Sequence, residues 1–216
     1  MTPRIDPSLL PESPHLQHER ALWANGVLWV AGVDEAGRGA LAGPVAAAAV
    51  ILPQIPGFIQ EYSGVRDSKM MTPAQREDWA QVIRDTSVTW GVGLASAQEI
   101  DKLGIVPATQ LAVSRAIDTL LVCPDYLLID YINLPNIPIP QISLVKGDMC
   151  SLSIAAASVL AKTTRDGLLV NLDEVYPGYG LGLHKGYGTA SHVDAIRRLG
   201  PSPLHRMSFA PLRFMN

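Results

Sequence analysis

The chain is poor in cysteine, in charge and in long apolar runs, and each shortage excludes a class of protein. Cys123 and Cys150 are the only cysteines in 216 residues. They are too few for a disulfide framework and too isolated for a Cys-based zinc site, so both are expected reduced, in or near the core. Pro, Gly or Asp interrupts the apolar segments before any reaches the roughly 20 residues of a membrane helix. The first fourteen positions carry acidic residues and four prolines instead of a basic stretch followed by an apolar one. That is not the layout of a signal peptide, and a cytoplasmic location is expected. His184, His192 and His205 match no common zinc spacing and are expected in helix-cap or packing roles.

Against those shortages stands an apolar content of 48% with only 17% charged residues, the balance of a folded domain. The length suits one domain with a sizeable core: residues 15–216 are expected to form it, after a disordered Pro-rich tail over 1–14. Net charge is −3, which argues weakly against a nucleic-acid partner, yet it is unevenly spread. Residues 184–216 hold five basic side chains (Lys185, Arg197, Arg198, Arg206, Arg213) against Asp194, a balance of +4 that leaves −7 for the remainder. A cationic C-terminal face beside an acidic centre suits a polyanion whose phosphates meet the cations; an ordinary solvated basic helix fits the numbers as well.

A helix is expected over residues 15–25, stopped by Gly26. Strand patterns follow at 27–34, 45–52 and 87–95, the first two close enough to form a hairpin. Thr72-Pro73-Ala74-Gln75 reads as a capping box with Pro at the first helical position, placing a helix over 73–85; Ser96 and Glu99 repeat the device. A helix over 107–121, strands over 126–130 and 141–146, and a long Ala-rich helix over about 150–172 complete the pattern. The expected order is βββαβαβ, a mixed five-stranded sheet covered by helices. The four tryptophans, at 23, 29, 79 and 90, are expected in core and helix–sheet contacts.

The richest stretch is 27–39. A strand-like run delivers Asp34 and Glu35 and then Gly37-Arg38-Gly39, an expensive way to fill a core. Adjacent strand residues face opposite sides, so the two acids can share a site only near the strand's end. The glycines permit close approach of a polyanion, and Arg38 offers a fork of donors suited to phosphate; a surface salt bridge would use Arg38 equally well. Asp130 and Asp148 lie at or after two later strands, and such ends gather at one edge of an α/β sheet. Taken singly, each fits a turn or helix cap. Jointly, four oxygen donors favour Mg²⁺ or Mn²⁺ over zinc, and a cation keeps crowded carboxylates ionised. Two such ions, about 3.5 to 4 Å apart, would serve in-line hydrolysis of a phosphodiester. Asp166 is placed on the long helix, either beside the acids or paired with Arg165.

The motifs Gly32-Val33-Asp34-Glu35-Ala36-Gly37-Arg38-Gly39, Asp67-Ser68-Lys69, Leu128-Ile129-Asp130, Lys146-Gly147-Asp148, the run 154–162 with Arg165-Asp166, His184-Lys185-Gly186-Tyr187-Gly188-Thr189 and His205-Arg206-Met207-Ser208-Phe209 resemble, in order, those of bacterial ribonuclease HII. The resemblance implies a ribonuclease H-like fold with a C-terminal helical extension. It implies an endonuclease needing Mg²⁺ or Mn²⁺ that acts on RNA/DNA hybrids and on single ribonucleotides in duplex DNA, cutting 5′ of the ribonucleotide to leave 3′-hydroxyl and 5′-phosphate ends. It makes Asp34, Glu35, Asp130 and Asp148 the metal-binding catalytic acids, Gly37-Arg38-Gly39 the reader of the 2′-OH, and Tyr187 the residue stacked on the next sugar. Lys69 and Lys146 are the favoured phosphate contacts, with Lys162 and Lys185 as further candidates. A role in initiating removal of misincorporated ribonucleotides, acting as a monomer, would follow. Tyr131 departs from the family, where a small residue is common. The sister ribonuclease HIII, a transposase- or resolvase-like enzyme and an inactive hybrid-binding module are the rival readings; the short stretch before the first strand speaks against the first, and the intact acids against the last.

Overall fold

The computed structural model describes residues 11–55, 57, 62, 64, 65, 68 and 71–214. Helix α1 (Gln17–Ala24) precedes a hairpin of β1 (Val30–Ala36) and β2 (Val45–Ile51). Then come α2 (Pro73–Thr86), β3 (Thr89–Ala95), α3 (Ala97–Leu103), α4 (Ile105–Asp118), β4 (Tyr126–Asp130) and β5 (Gln141–Leu144). The chain continues through α5 (Gly147–Cys150), α6 (Leu152–Val175), α7 (Leu181–His184) and α8 (Ala190–Leu199) to a 3-10 turn, Leu212–Phe214. The five strands lie in the order β3-β2-β1-β4-β5. β1 pairs antiparallel with β2 and parallel with β4, β2 pairs antiparallel with β3, and β4 pairs parallel with β5. The mixed sheet with helices on both faces is the expected architecture.

Two helices carry the layers. α6 and α2 cover one face, in a core that includes Ala48, Val50, Ala80, Ile83, Ala156 and Leu160. α4 covers the other, with Val33, Ala47, Ala49, Ala112 and Val113. Small side chains let α6 lie close. A Cβ added to Gly32 would fall 2.1 Å from the backbone carbon of Ser153, so any larger residue there would push α6 off the strand that carries the acids. Both capping boxes form: Thr72 accepts from Gln75 N, and Ser96 from Glu99 N. The start of α6 is tied down differently. The buried Glu19 of α1 accepts through Oε1 from Ser151 Oγ at 2.6 Å, Ser153 Oγ at 2.7 Å and Ser153 N at 3.0 Å, placing a carboxylate at the positive end of a long helix.

Several expectations need correction. The helix α2 falls between β2 and β3, and no helix separates β4 from β5, so the order βββαβαβ does not hold. β1 starts at Val30 and runs on to Ala36, two residues past the expected end, so Glu35 as well as Asp34 lies inside the strand. The Ala-rich helix starts two residues later than expected, after Ser151, whose extended backbone caps α6. Cys123 is exposed. Trp90 is 37% exposed under the Arg84 guanidinium, since β3 is an edge strand. Residues 1–10 of the expected tail lie outside the described residues, whereas Pro14 is buried and His15 bridges to Ser151. No helix among the described residues is long and apolar enough to cross a membrane.

Candidate active site

Parallel pairing of β1 with β4 sets the acids side by side. The register aligns Val33 with Ile129, so Asp34 and Asp130 follow on neighbouring strands. Asp130 then recruits the third acid: its Oδ1 accepts from Gly147 N at 2.7 Å, anchoring the first turn of α5, where Asp148 sits buried. Lys146, in left-handed conformation (φ 55°), makes the bend into that turn. One carboxylate oxygen from each of Asp34, Asp130 and Asp148 lies within 4.8 Å of the others. Three hard oxygen donors at that spacing fit a divalent cation of the Mg²⁺ or Mn²⁺ type.

Burial holds the Asp34 carboxyl well above the ordinary carboxylate range, and the charges of Glu35 and Asp130, then Asp148, push it further; a hydrogen bond from Ser158 opposes them. Ser158 in turn shares a hydrogen bond with Ser68 at 2.9 Å. A bound cation would relieve this crowding, which is a second reason the donor set fits a metal. Glu35 faces the other side of the sheet from Asp34, as strand geometry requires, and lies outside the trio. It nevertheless lines the same cavity and pairs with Arg38 at 3.2 Å.

That cavity, of about 320 Å³, is bounded by Asp34, Glu35, residues 36–39, Ser68, Asp130, Ser158, Lys162 and Tyr187. Gly37-Arg38-Gly39 and Tyr187 therefore meet at its rim, although they are far apart in the chain. Gly37 has φ +87°, and a Cβ there would lie 1.9 Å from Nε of Arg165. Tyr187 is 37% exposed, with the Lys162 ammonium 5.7 Å and the Arg165 guanidinium 5.5 Å from its ring centre. Asp166 pairs with Lys162 at 3.0 Å and not with Arg165, so it reaches the cavity only by holding that lysine. Ser68, Ser158 and Lys162 line the cavity without having stood out as acids or glycines do; Lys162 was visible only as one of four candidate phosphate contacts.

Other candidates fall elsewhere. Lys69 and Asp67 lie outside the described residues, and Lys146 is exposed beyond the cavity lining. Lys185 directs its ammonium to the Gly182 carbonyl. Tyr131 is 49% exposed with φ 60° and does not line the cavity. Arg206, counted among the cations of a basic face, is fully buried and hydrogen-bonded to backbone, so that face is less cationic than the sequence suggests. The three histidines pack together: His192 and His205 share a hydrogen bond at 3.1 Å, and His184 stacks on His192 with ring centres 4.2 Å apart. His192 Nδ1 lies 2.9 Å from the Tyr187 carbonyl, and that carbonyl can only accept. The proton is thereby placed on Nδ1, leaving Nε2 to accept from His205.

Comparison with known proteins bears on this geometry. The family model for ribonuclease HII matches residues 31–212. A ribonuclease HII of Dehalococcoides mccartyi (strain ATCC BAA-2100 / JCM 16839 / KCTC 5957 / BAV1) is 50% identical over 203 residues, covering 94% of this chain and 95% of its own. One from Moorella thermoacetica is 54% identical over 191 residues, covering 88% and 91%. Among solved structures, the crystal structure of the ribonuclease H2 from Pyrococcus horikoshii OT3 superposes with a TM-score of 0.71 at 26% identity, covering 86% of this chain and 96% of that one.

Proposed function

Because the chain belongs to the ribonuclease HII family, and is thus an endonuclease that hydrolyses RNA in hybrids with DNA, we propose that the cavity at the end of β1 and β4 is where it cuts. The observation that carries the assignment is the meeting of the Asp34, Asp130 and Asp148 carboxylates within 4.8 Å, the first two lining a cavity rimmed by residues 37–39 and Tyr187. A bare metal site would need only the acids. The glycine-flanked arginine and the aromatic ring beside them are what a nucleic-acid backbone requires.

In this reading Asp34, Asp130 and Asp148, with Glu35 across the strand, hold two divalent ions, Mg²⁺ or Mn²⁺. When bound, such ions supply an activated water and charge stabilisation for the leaving oxygen. The chain's own groups do the rest. Ser158 fixes the Asp34 carboxylate through its hydroxyl, and Asp166 holds Lys162 at the cavity wall, where its ammonium can meet a phosphate. The backbone at Gly37 and Gly39 is free of side chains, and the sugar's 2′-OH is a donor and acceptor that it can read. Tyr187 offers a face to the adjoining deoxyribose. Lys69 and Lys146 are assigned to the phosphates flanking the cut. No histidine is among the described residues lining the cavity. A pair of acid–base imidazoles to make the 2′-OH a nucleophile is thus missing there, which supports attack by water and products with 3′-hydroxyl and 5′-phosphate ends.

The test is cleavage of a labelled DNA duplex containing one ribonucleotide, with Mg²⁺, Mn²⁺ or EDTA, beside an all-DNA duplex and a long RNA/DNA hybrid. A metal-dependent cut 5′ of the single ribonucleotide is expected. Cutting only the long hybrid would instead favour ribonuclease HIII behaviour; binding without cutting would refute catalysis.

A further inference from the structure

Arg165 and Arg206 are two of the largest fully buried side chains in the molecule, and neither has a carboxylate partner among the described ion pairs. Their donors go to main-chain oxygens. Arg206 gives Nη2 to Gly37 O at 2.8 Å, Nη1 to Arg38 O at 2.8 Å and Nε to Gly43 O at 3.0 Å. Arg165 gives Nε to Pro44 O at 2.9 Å, Nη2 to Ala42 O at 3.1 Å and Nη1 to Lys185 O at 3.0 Å. Five carbonyls of the loop 37–44 thus point inward onto two planar forks. The same loop is stitched to the segment before α8 by Leu41 N and Ala42 N on Gly186 O, and to residues 204–206 by Gly43 N on Leu204 O and Arg206 N on Leu41 O.

Burying two like charges beside each other is costly. Burial itself, and then the charge of Arg165, bring the Arg206 guanidinium down to about 9. Neutral donors would tie a loop at less expense, but no other side chain fixes three acceptors in one plane. We propose that Arg165 and Arg206 are positioning residues for substrate choice: together they hold the 37–39 backbone at a set distance from Tyr187, so that the two can engage a ribonucleotide and its deoxy neighbour at once. Arg165 is the link between the halves, since it holds loop 37–44 and the Lys185 carbonyl and lies under the Tyr187 ring. A uniform RNA/DNA hybrid makes less demand on that distance than a single RNA–DNA junction does. This inference rests on the assignment of residues 37–39 and Tyr187 as substrate contacts made above.

Arg206→Lys and Arg165→Lys keep the charge and lose the fork, and either serves if the other does not accumulate as folded protein. In the full-length enzyme with Mg²⁺, each is expected to raise KM for the single-ribonucleotide duplex about tenfold, with kcat and long-hybrid cleavage changed less than about threefold. Hydrogen exchange at residues 39–43 is expected to quicken by about tenfold while β1 and β4 stay protected. Equal losses on both substrates, or a quickening spread evenly over the sheet, would mean a merely structural role and overturn the inference. Gly39→Val separates it from its premise, since a side chain there enters open space beside the backbone assigned to the 2′-OH and touches neither arginine. If Gly39→Val leaves the junction preference intact, the reading of the loop as a substrate contact fails; if it abolishes that preference while both lysine variants retain it, the brace fails and the reading stands.

Discussion

Asp34, Asp130 and Asp148 crowd like charges at the end of the sheet, whereas Arg165 and Arg206, like-charged and buried deeper, each meet three carbonyl oxygens. Asp34 and Asp130 of the first group open onto a cavity, and the crowding raises Asp34 further above the ordinary carboxylate range. The second is enclosed by protein, and its charge is answered by backbone dipoles. The contrast separates two uses of a buried charge: one poised for something from outside, the other spent on shape. Asp34 stands three residues before loop 37–44 and both arginines bind that loop's carbonyls, so chemistry and positioning meet at a single segment.

The sharpest way to break the comparison is to neutralise one member of each group. Asp34→Asn should lower cleavage on the order of 10³-fold, as loss of charge at a reacting centre does. The same change should raise the melting temperature in EDTA at pH 7. A folded-state carboxyl held above its unfolded value of 3.8 costs stability once ionised, and the amide removes that cost. An active Asp34→Asn enzyme, or one that melts lower, would undo this half of the comparison. Arg165→Met should act in the opposite sense, lowering stability by about 3 kcal/mol in urea titrations because the Ala42, Pro44 and Lys185 carbonyls lose their donor.

A pH series sharpens it further. His192 is held down to about 4 by burial against an ordinary 6.5, so the unfolded chain binds the extra proton between those values. Its contribution is therefore complete above pH 6.5 and lost as pH falls toward 4. Asp34 works in the reverse direction, becoming less unfavourable as it takes up a proton. The melting temperature in EDTA should thus fall more steeply on acidification in Asp34→Asn and less steeply in His192→Gln than in the parent chain. The smallest effect is expected at Tyr131, which leaves β4 beside Asp130 with φ 60°. Tyr131→Gly removes roughly 1 to 2 kcal/mol of left-handed strain and returns about half as backbone entropy, so stability should rise by less than about 1 kcal/mol by urea titration.

The acids were legible in the sequence because a carboxylate at the end of an apolar strand is conspicuous, and the parallel pairing of β1 with β4 does the rest. Residues 37–39 were legible as a glycine-flanked arginine following two acids, with the 2′-OH role added by family resemblance; Tyr187 was legible only through that resemblance, since nothing local distinguishes it from an aromatic at the edge of a core. The roles of Arg165 and Arg206 were hidden. Arginine reads as surface charge, and its partners here are carbonyls, which every residue possesses and no sequence pattern marks. Ser158 and Lys162 were obscured for a related reason: they lie one helical turn apart within an Ala-rich helix, and only the close approach of α6 to β1 at Gly32 turns that face toward the cavity. The element order was misjudged because spacing identifies strands more readily than it identifies which helix crosses between them.

The carboxylate of Glu19 has a consequence for where this protein can be cut. Its partners, Ser151 and Ser153, stand at the head of the helix that carries Ser158 and Lys162, and they lie more than a hundred positions downstream. The family model begins at residue 31, so trimming to the stretch it matches would discard α1 and leave two buried hydroxyls and an amide without their acceptor. The stretch that family motifs mark and the stretch that the long helix needs are different lengths of chain, and the difference is set by one side chain.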